Sequence, residues 1–322
     1  MKVRDQSIRS AKAPIWKRMS QYTLVLIMLA MWIVVFLFEP RFLSAENLTN
    51  LGRQTVIIAI VAIGQTFVII TKGIDLSVGS TVGLASIISA QLLVDGMPAV
   101  PLFVLVVLIG ALVGLINGMI IYDMKITPFI ATLGTMTVLR GATLMASGGK
   151  LISNVPKSIT KIAESTFLGI PWLIYILLII AVIAAIVIRY TVFGRSLFAI
   201  GSSEESARLS GVNVRTTTYG AYAVSGALAA VAGFLLTARL ASGIPTAGDG
   251  YELDAIASSV IGGASLFGAQ GSIAGTVIGA LIMSTLRNAG NLLGIEPFWL
   301  QIAVGALLVL VVFFDQIQKR KA

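Results

Sequence analysis

Ten apolar stretches recur along this chain, over 22–38, 54–71, 78–94, 100–122, 127–146, 171–190, 218–239, 253–267, 272–293 and 298–314. Most are about 20 residues long, the length an α-helix needs to cross roughly 30 Å of hydrocarbon. The expected fold is therefore an all-α integral membrane protein of about ten transmembrane helices. The eighth stretch is short and rich in glycine and serine, and is expected to be a broken or re-entrant helix. Hydrophobic residues make up 57% of the chain, charged residues 11%, and mean hydropathy is +0.96, a balance that soluble globular domains do not reach.

The residues that are missing exclude most chemistry. Histidine and cysteine are both absent, which removes the commonest general base, the thiolate nucleophile, most transition-metal ligand sets and any disulfide framework. The nucleophile elbow G-x-S-x-G does not occur, and the pair Gly149-Lys150 is followed by Leu151, so there is no Walker A phosphate loop. A chain with no catalytic residues, no metal and no cofactor of its own is the expectation.

Net charge is +9, and its distribution speaks for membrane orientation. Six basic residues precede the first apolar run (Lys2, Arg4, Arg9, Lys12, Lys17 and Arg18) and three close the chain (Lys319, Arg320 and Lys321), without the interleaved aromatics that single-stranded nucleic acid needs. With the N-terminus inside, 15 of the 23 basic residues fall in cytoplasmic segments, which obeys the positive-inside rule. The first run is longer than a signal-peptide core and lacks a clear cleavage site, so it reads as an uncleaved span. The organisation is then a cytoplasmic basic segment at 1–21, one transmembrane domain at 22–314, and a cytoplasmic basic tail at 315–322. Both termini are cytoplasmic.

A charged interruption at 191–217 also falls in the cytoplasm. Ser202 or Ser203 can cap a short helix there, Glu204 and Glu205 suit its first turn, and Gly211 supplies a stop. Such a segment between spans offers a docking surface to a partner in water.

A weak internal echo suggests two five-helix halves. GALVGLINGMII (110–121) resembles GTVIGALIMSTL (275–286), and GIDLSVG (73–79) has a looser counterpart in YELDAIA (251–257). Five is odd, so two such halves would run in opposite directions as an inverted repeat. Glycines spaced by four, such as Gly110, Gly114 and Gly118 or Gly271, Gly275 and Gly279, line faces suited to close helix packing, to a dimer interface or to a pathway of changing width.

Polar residues within the spans each carry two readings. Asp75, beside Ser77 and between Gly73 and Gly79, caps the third span or forms a gate, with Lys72 as its nearest candidate partner. A lone acid at mid-bilayer costs about 2.5–3.5 kcal/mol on insertion scales. Glu252 and Asp254 cap the eighth span or belong to an outer mouth. Asn117, Asn288 and Asn291 bridge helices or line a passage for a polyhydroxylated solute. Arg140 and Arg287 are expected to snorkel toward a membrane edge.

Four long strings then resemble the bacterial monosaccharide ABC-importer permeases, particularly the ribose type. They are TFVIITKGIDLSVGS (66–80), ITPFIATLGTMTVLRG (126–141), FGRSLFAIGSSEESARLSGVNV (193–214) and PTAGDGYELDAIASSVIGGASLFGAQGSIAGTVIGALI (245–282). The resemblance spans about 42–315. It implies an inner-membrane permease, homodimeric or occasionally heterodimeric, served by a cytoplasmic ATPase that binds ATP and Mg and by an extracytoplasmic sugar-binding protein. It also implies that Glu204, Glu205, Ser206, Ala207, Arg208, Leu209, Ser210 and Gly211 form the helix that couples to the ATPase. Many relatives have E-A-A at the start of this segment, whereas Glu205 and Ser206 stand here. The competing class, an ion-coupled secondary carrier, requires a buried ionisable pair, for which Asp75 with Lys72 is the candidate.

Overall fold

A computed structural model describes residues 15–320, with side chains for 23–313 and 315–317. Most of the basic flank expected over 1–21, and the basic end of the 315–322 tail, lie outside the described residues or side chains. The described residues form thirteen α-helices: α1 (Ile15–Phe38), α2 (Ala45–Ile70), α3 (Val78–Val94), α4 (Ala99–Tyr122), α5 (Pro128–Ser147), α6 (Lys157–Glu164), α7 (Trp172–Tyr190), α8 (Val192–Ser202), α9 (Glu204–Leu209), α10 (Val214–Leu240), α11 (Tyr251–Ile261), α12 (Ile273–Leu292) and α13 (Pro297–Arg320). A two-stranded hairpin, β1 (Thr166–Phe167) with β2 (Ile170–Pro171), leads into α7.

Six of these helices, α2, α4, α5, α7, α10 and α13, are long and apolar enough to cross a membrane. The other four expected spans correspond to shorter or more polar helices: the apolar part of α1 (Thr23–Phe38), α3, α11 and α12. At 1.5 Å per residue, the 11 residues of α11 extend only about 16 Å, half a bilayer core. Gly262 caps it, where the 253–267 stretch was expected to break.

Burial separates the helices into two shells. In α2 and α10, 89% and 78% of the apolar window is buried, against 22% in α4, α5 and α7 and 12% in α13. The first pair forms the centre, and the others present leucine, isoleucine and valine outward, as lipid-facing helices do. Helix α10 packs on α4, α2 and α3, while α2 also packs on α12 and α11; α5 packs on α3 as α13 packs on α11.

Glycine allows the central helices to approach. A Cβ at Gly110 would collide with Gly226 O, and one at Gly114 with Tyr222 O, so α4 lies backbone to backbone on α10. Gly275 and Gly279 of α12 meet Gly262 and Ser258 of α11 in the same way. Between lipid-soluble helices this close contact replaces the missing hydrophobic drive.

Two connections leave the membrane edge and enter the bundle. After α2, a left-handed Lys72 (φ 67°) and the bond from Gly73 N–H to Val68 O (3.1 Å) turn the chain back, so that Asp75 lies beside Gln65 on α2. After α10, the chain bridges Gly243 to Ile152 and then descends along α3, with Gly243 against Ala90, Pro245 against Gly83 and Gly248 against Gly79. Helices α3 and α11 thus both begin at depth. The glycine faces give a test: Gly114→Val should lower the stability of the purified chain in detergent by about 3 kcal/mol or prevent folding. Gly134→Ala, where no atom lies within 4 Å of an added Cβ, should leave the melting temperature unchanged.

Candidate functional site

Residues 191–217 fold as two short helices, α8 and α9, and the first turn of α10 at one end of the bundle. In α9, Ser203 Oγ accepts from Ser206 N–H (3.2 Å), and Glu204 and Glu205 occupy the favourable first turn. Gly211 (φ 83°) ends it, with Val212 N–H donating to Ala207 O (3.0 Å) and Gly211 N–H to Arg208 O (3.1 Å), a closed C-terminal motif. Ala207 is buried with Ile200 and Val214, while Glu204, Glu205, Ser206, Arg208, Leu209, Ser210 and Gly211 are exposed. Leu209 is 79% exposed among these charges. The capped turn thus presents an uncovered leucine at the surface of the chain. Beside it, Arg215 donates to Asp123 (3.1 Å) and Tyr219 Oη also donates to Asp123, clipping the end of α4 to the start of α10. The Tyr219 hydrogen bond, then Arg215, hold the Asp123 carboxyl below its ordinary range.

Deeper in the bundle lies a closed polar node. Asp75 is fully buried and accepts from Ser77 N–H (3.0 Å), Ser77 Oγ (2.6 Å) and Ser225 Oγ of α10 (2.9 Å). Asn117 of α4 donates to Ser77 Oγ (2.9 Å) and accepts from Thr135 of α5 (2.6 Å). The Gln65 amide, oriented to satisfy both partners, donates to Asp75 O and accepts from Asp75 N–H at 3.1 Å. Four helices are thereby tied to the unwound segment before α3. The expected pairing with Lys72 is not made, because the αL turn sends that side chain to Ser202 O (3.1 Å). Asp75 binds the backbone of Ser77, one residue ahead of α3, and also reaches across to α10. Gly73 is required beneath Tyr222, whose hydroxyl would stand 2.5 Å from an added Cβ.

A second polar group surrounds the head of α11. Arg140 of α5 reaches Asp249 (3.1 Å) and Glu252 (3.1 Å), and Arg287 of α12 reaches Asp254 (2.8 Å). Neither acid caps α11: its N-cap is Gly250, without a side-chain cap bond, and both carboxylates are drawn to arginines. Both arginines, expected to snorkel, have an acid within reach on a neighbouring element. A Cβ at Gly79 would collide with Glu252 Oε2, so the first turn of α3 rests on this group.

The remaining asparagines separate. Asn288 and Asn47 exchange amide hydrogen bonds (3.0 and 2.8 Å), a helix bridge between α12 and α2. Asn291 is exposed one turn further along. A cleft of about 430 Å³ lies between α9 and the turn after α2, bordered by Glu204, Lys72, Lys125, Tyr122, Gly73 and Tyr222. Sequence reasoning missed Gln65, Thr135 and Ser225, which are ordinary helix residues until the fold brings them to Asp75.

The node yields an ordered prediction. Asp75→Ala removes the acceptor of three buried donor groups and should cost about 3 kcal/mol, whereas Ser225→Ala removes one bond and should cost about 1 kcal/mol. Equal melting temperatures of the two variants in detergent would show that the node does not hold the bundle.

The family model for the permease component of the branched-chain amino acid transport system matches residues 47–312. The ribose import permease of Haemophilus influenzae is 43% identical over 286 residues, 88% of each chain. That of Bacillus subtilis is 43% identical over 88% of this chain and 89% of its own. The xylose transport system permease of Escherichia coli is 34% identical over 92% and 93%. No solved structure matches the chain. With the match running from the start of α2 into α13, the chain belongs to the family of bacterial ABC-importer permeases for monosaccharides.

Proposed function

We propose that this chain is the membrane permease of an ATP-driven importer for ribose or a closely related sugar, with α9 as the helix that receives the stroke of a separate ATPase. The observation that carries the reading is the exposed, doubly capped α9, with Leu209 uncovered beside Glu204, Glu205 and Arg208. Its neighbour α8 abuts the turn after α2, where Gly201 meets Ile70 O and Lys72 binds Ser202 O. A push on α9 is therefore delivered to the chain segment that holds Asp75. ATP and Mg are handled by the partner, and this chain contributes motion and passage.

On this reading the α9 end is cytoplasmic, both termini lie on that side of the inner membrane, and α1, α3, α11 and α12 complete ten membrane-inserted helices. The packing of α2 on α11 and α12, answered by that of α10 on α3 and α4, supports two inverted halves. The sugar-binding protein docks at the opposite end, near 147–169 and 241–253, and a second copy completes the pathway. The segments around Gly73, Asp75, Ser77 and Gly79, and around Glu252 and Asp254, act as gates. Asn117 secures the first gate, Asn288 holds α12 to α2, and Asn291 faces the outer mouth. The ion-coupled alternative loses its motif, because Asp75 is bound by hydroxyl and amide groups and Lys72 is engaged elsewhere.

Two variants test the coupling. Arg208→Glu and Gly211→Pro should abolish ATP-dependent ribose uptake and co-purification with the ATPase while leaving membrane insertion intact. Normal association in both would remove the role given to α9, and uptake that collapses with an uncoupler at clamped ATP would favour a carrier.

A further inference from the structure

The charge group at the head of α11 lies at the wrong depth for lipid. Arg140 stands 12 residues into α5, about 18 Å from its α9 end at 1.5 Å per residue, close to the middle of a bilayer core. Nevertheless its side chain is 39% exposed and that of its partner Asp249 is 51% exposed, on the outside of the chain. The same face of α5 carries Thr137, exposed between Gly134 and Gly141, and a Cβ added at either glycine meets no atom within 4 Å. Thr246 is exposed on the descending loop nearby. Charges in this position are expensive against hydrocarbon. A dry contact with another copy would desolvate Asp249 with only one cation to share between it and Glu252. Water is the medium that suits this face.

We infer that Arg140 and Asp249, with Thr137 and Thr246 beside them, line a water-filled passage and form a contact site for a neutral polyhydroxylated solute. The site rests on the sugar-importer reading above and deepens it. Arg140 has five N–H donors and Asp249 two acceptor oxygens, more than their mutual pairing uses. Adjacent hydroxyls of a sugar can donate to the carboxylate and accept from the guanidinium at once. Glu252 is 7% exposed and keeps Arg140 oriented from behind, so it is a positioning residue. The open glycines leave width beside the pair for a sugar ring.

The absence of cysteine from the chain makes the test clean. In membranes holding the complete transporter, Thr137→Cys and Thr246→Cys should react with a charged, membrane-impermeant methanethiosulfonate at least tenfold faster than Val182→Cys on the outward face of α7. Reaction at the control rate would place this face in lipid or in a dry interface and overturn the inference. In proteoliposomes with ATPase and binding protein, Asp249→Asn should raise the KM for D-ribose at least fivefold while keeping kcat within twofold. Fast labelling with unchanged KM would mean that the face is wet but does not touch the solute, which overturns the contact site. Labelling does not depend on transport, so failure of the importer reading, seen as no ATP-dependent ribose uptake by the unaltered protein, is a separate result.

Discussion

Backbone that is not helical can sit at membrane depth only if its N–H and C=O groups and its polar side chains find partners inside the protein. The segment before α3 meets this demand through Asp75, and much of the bundle is arranged to supply it. Gln65 satisfies the Asp75 backbone, Ser77 and Ser225 satisfy its carboxylate, and Asn117 with Thr135 completes the chain of bonds. Each donor comes from a different element, so α2 and α10 are held at Asp75 itself and α4 and α5 through Ser77 and Asn117 in the same network. Thr132 of α5 adds a bond to Ile74 O (3.2 Å).

The descending loop before α11 solves the same problem with glycine and charge. Gly243 and Gly248 let it lie against α3 backbone, and Gly79 and Gly83 leave the room on the other side. Once the loop is at depth, Glu252 and Asp254 need counter-charges, and Arg140 and Arg287 reach in from α5 and α12. Three elements meet there through ion pairs in addition to the glycine and apolar packing of α11 on α12.

Much of the fold is legible in the sequence because lipid imposes a coarse rule. Apolar run length gave α2, α4, α5, α7, α10 and α13, and the shortness of the 253–267 stretch already pointed to a broken element. The four-residue glycine spacing identified faces of close approach, and it did so for α4 and α12. Local capping was equally readable: Ser203 and Gly211 bound α9 because caps depend on a few neighbouring residues. What could not be read was long-range partnership. Lys72 is three residues from Asp75 yet points to Ser202, while Ser225, 150 residues away, supplies the bond.

The sequence by itself determined that the chain lives in a membrane, that it has no histidine, cysteine or Walker A string, and that a short polar helix interrupts its apolar runs near 204–209. These follow from composition and local spacing, which act before the chain is packed. Only the tertiary structure decided that Asp75 is a hub held by neutral donors, that Glu252 and Asp254 are ion-pair partners instead of caps, and that Arg140 is partly exposed between Asp249 and Glu252. Hydrogen bonds and ion pairs act over a few ångströms, and which groups come that close is set by helix packing, which no single stretch of sequence encodes.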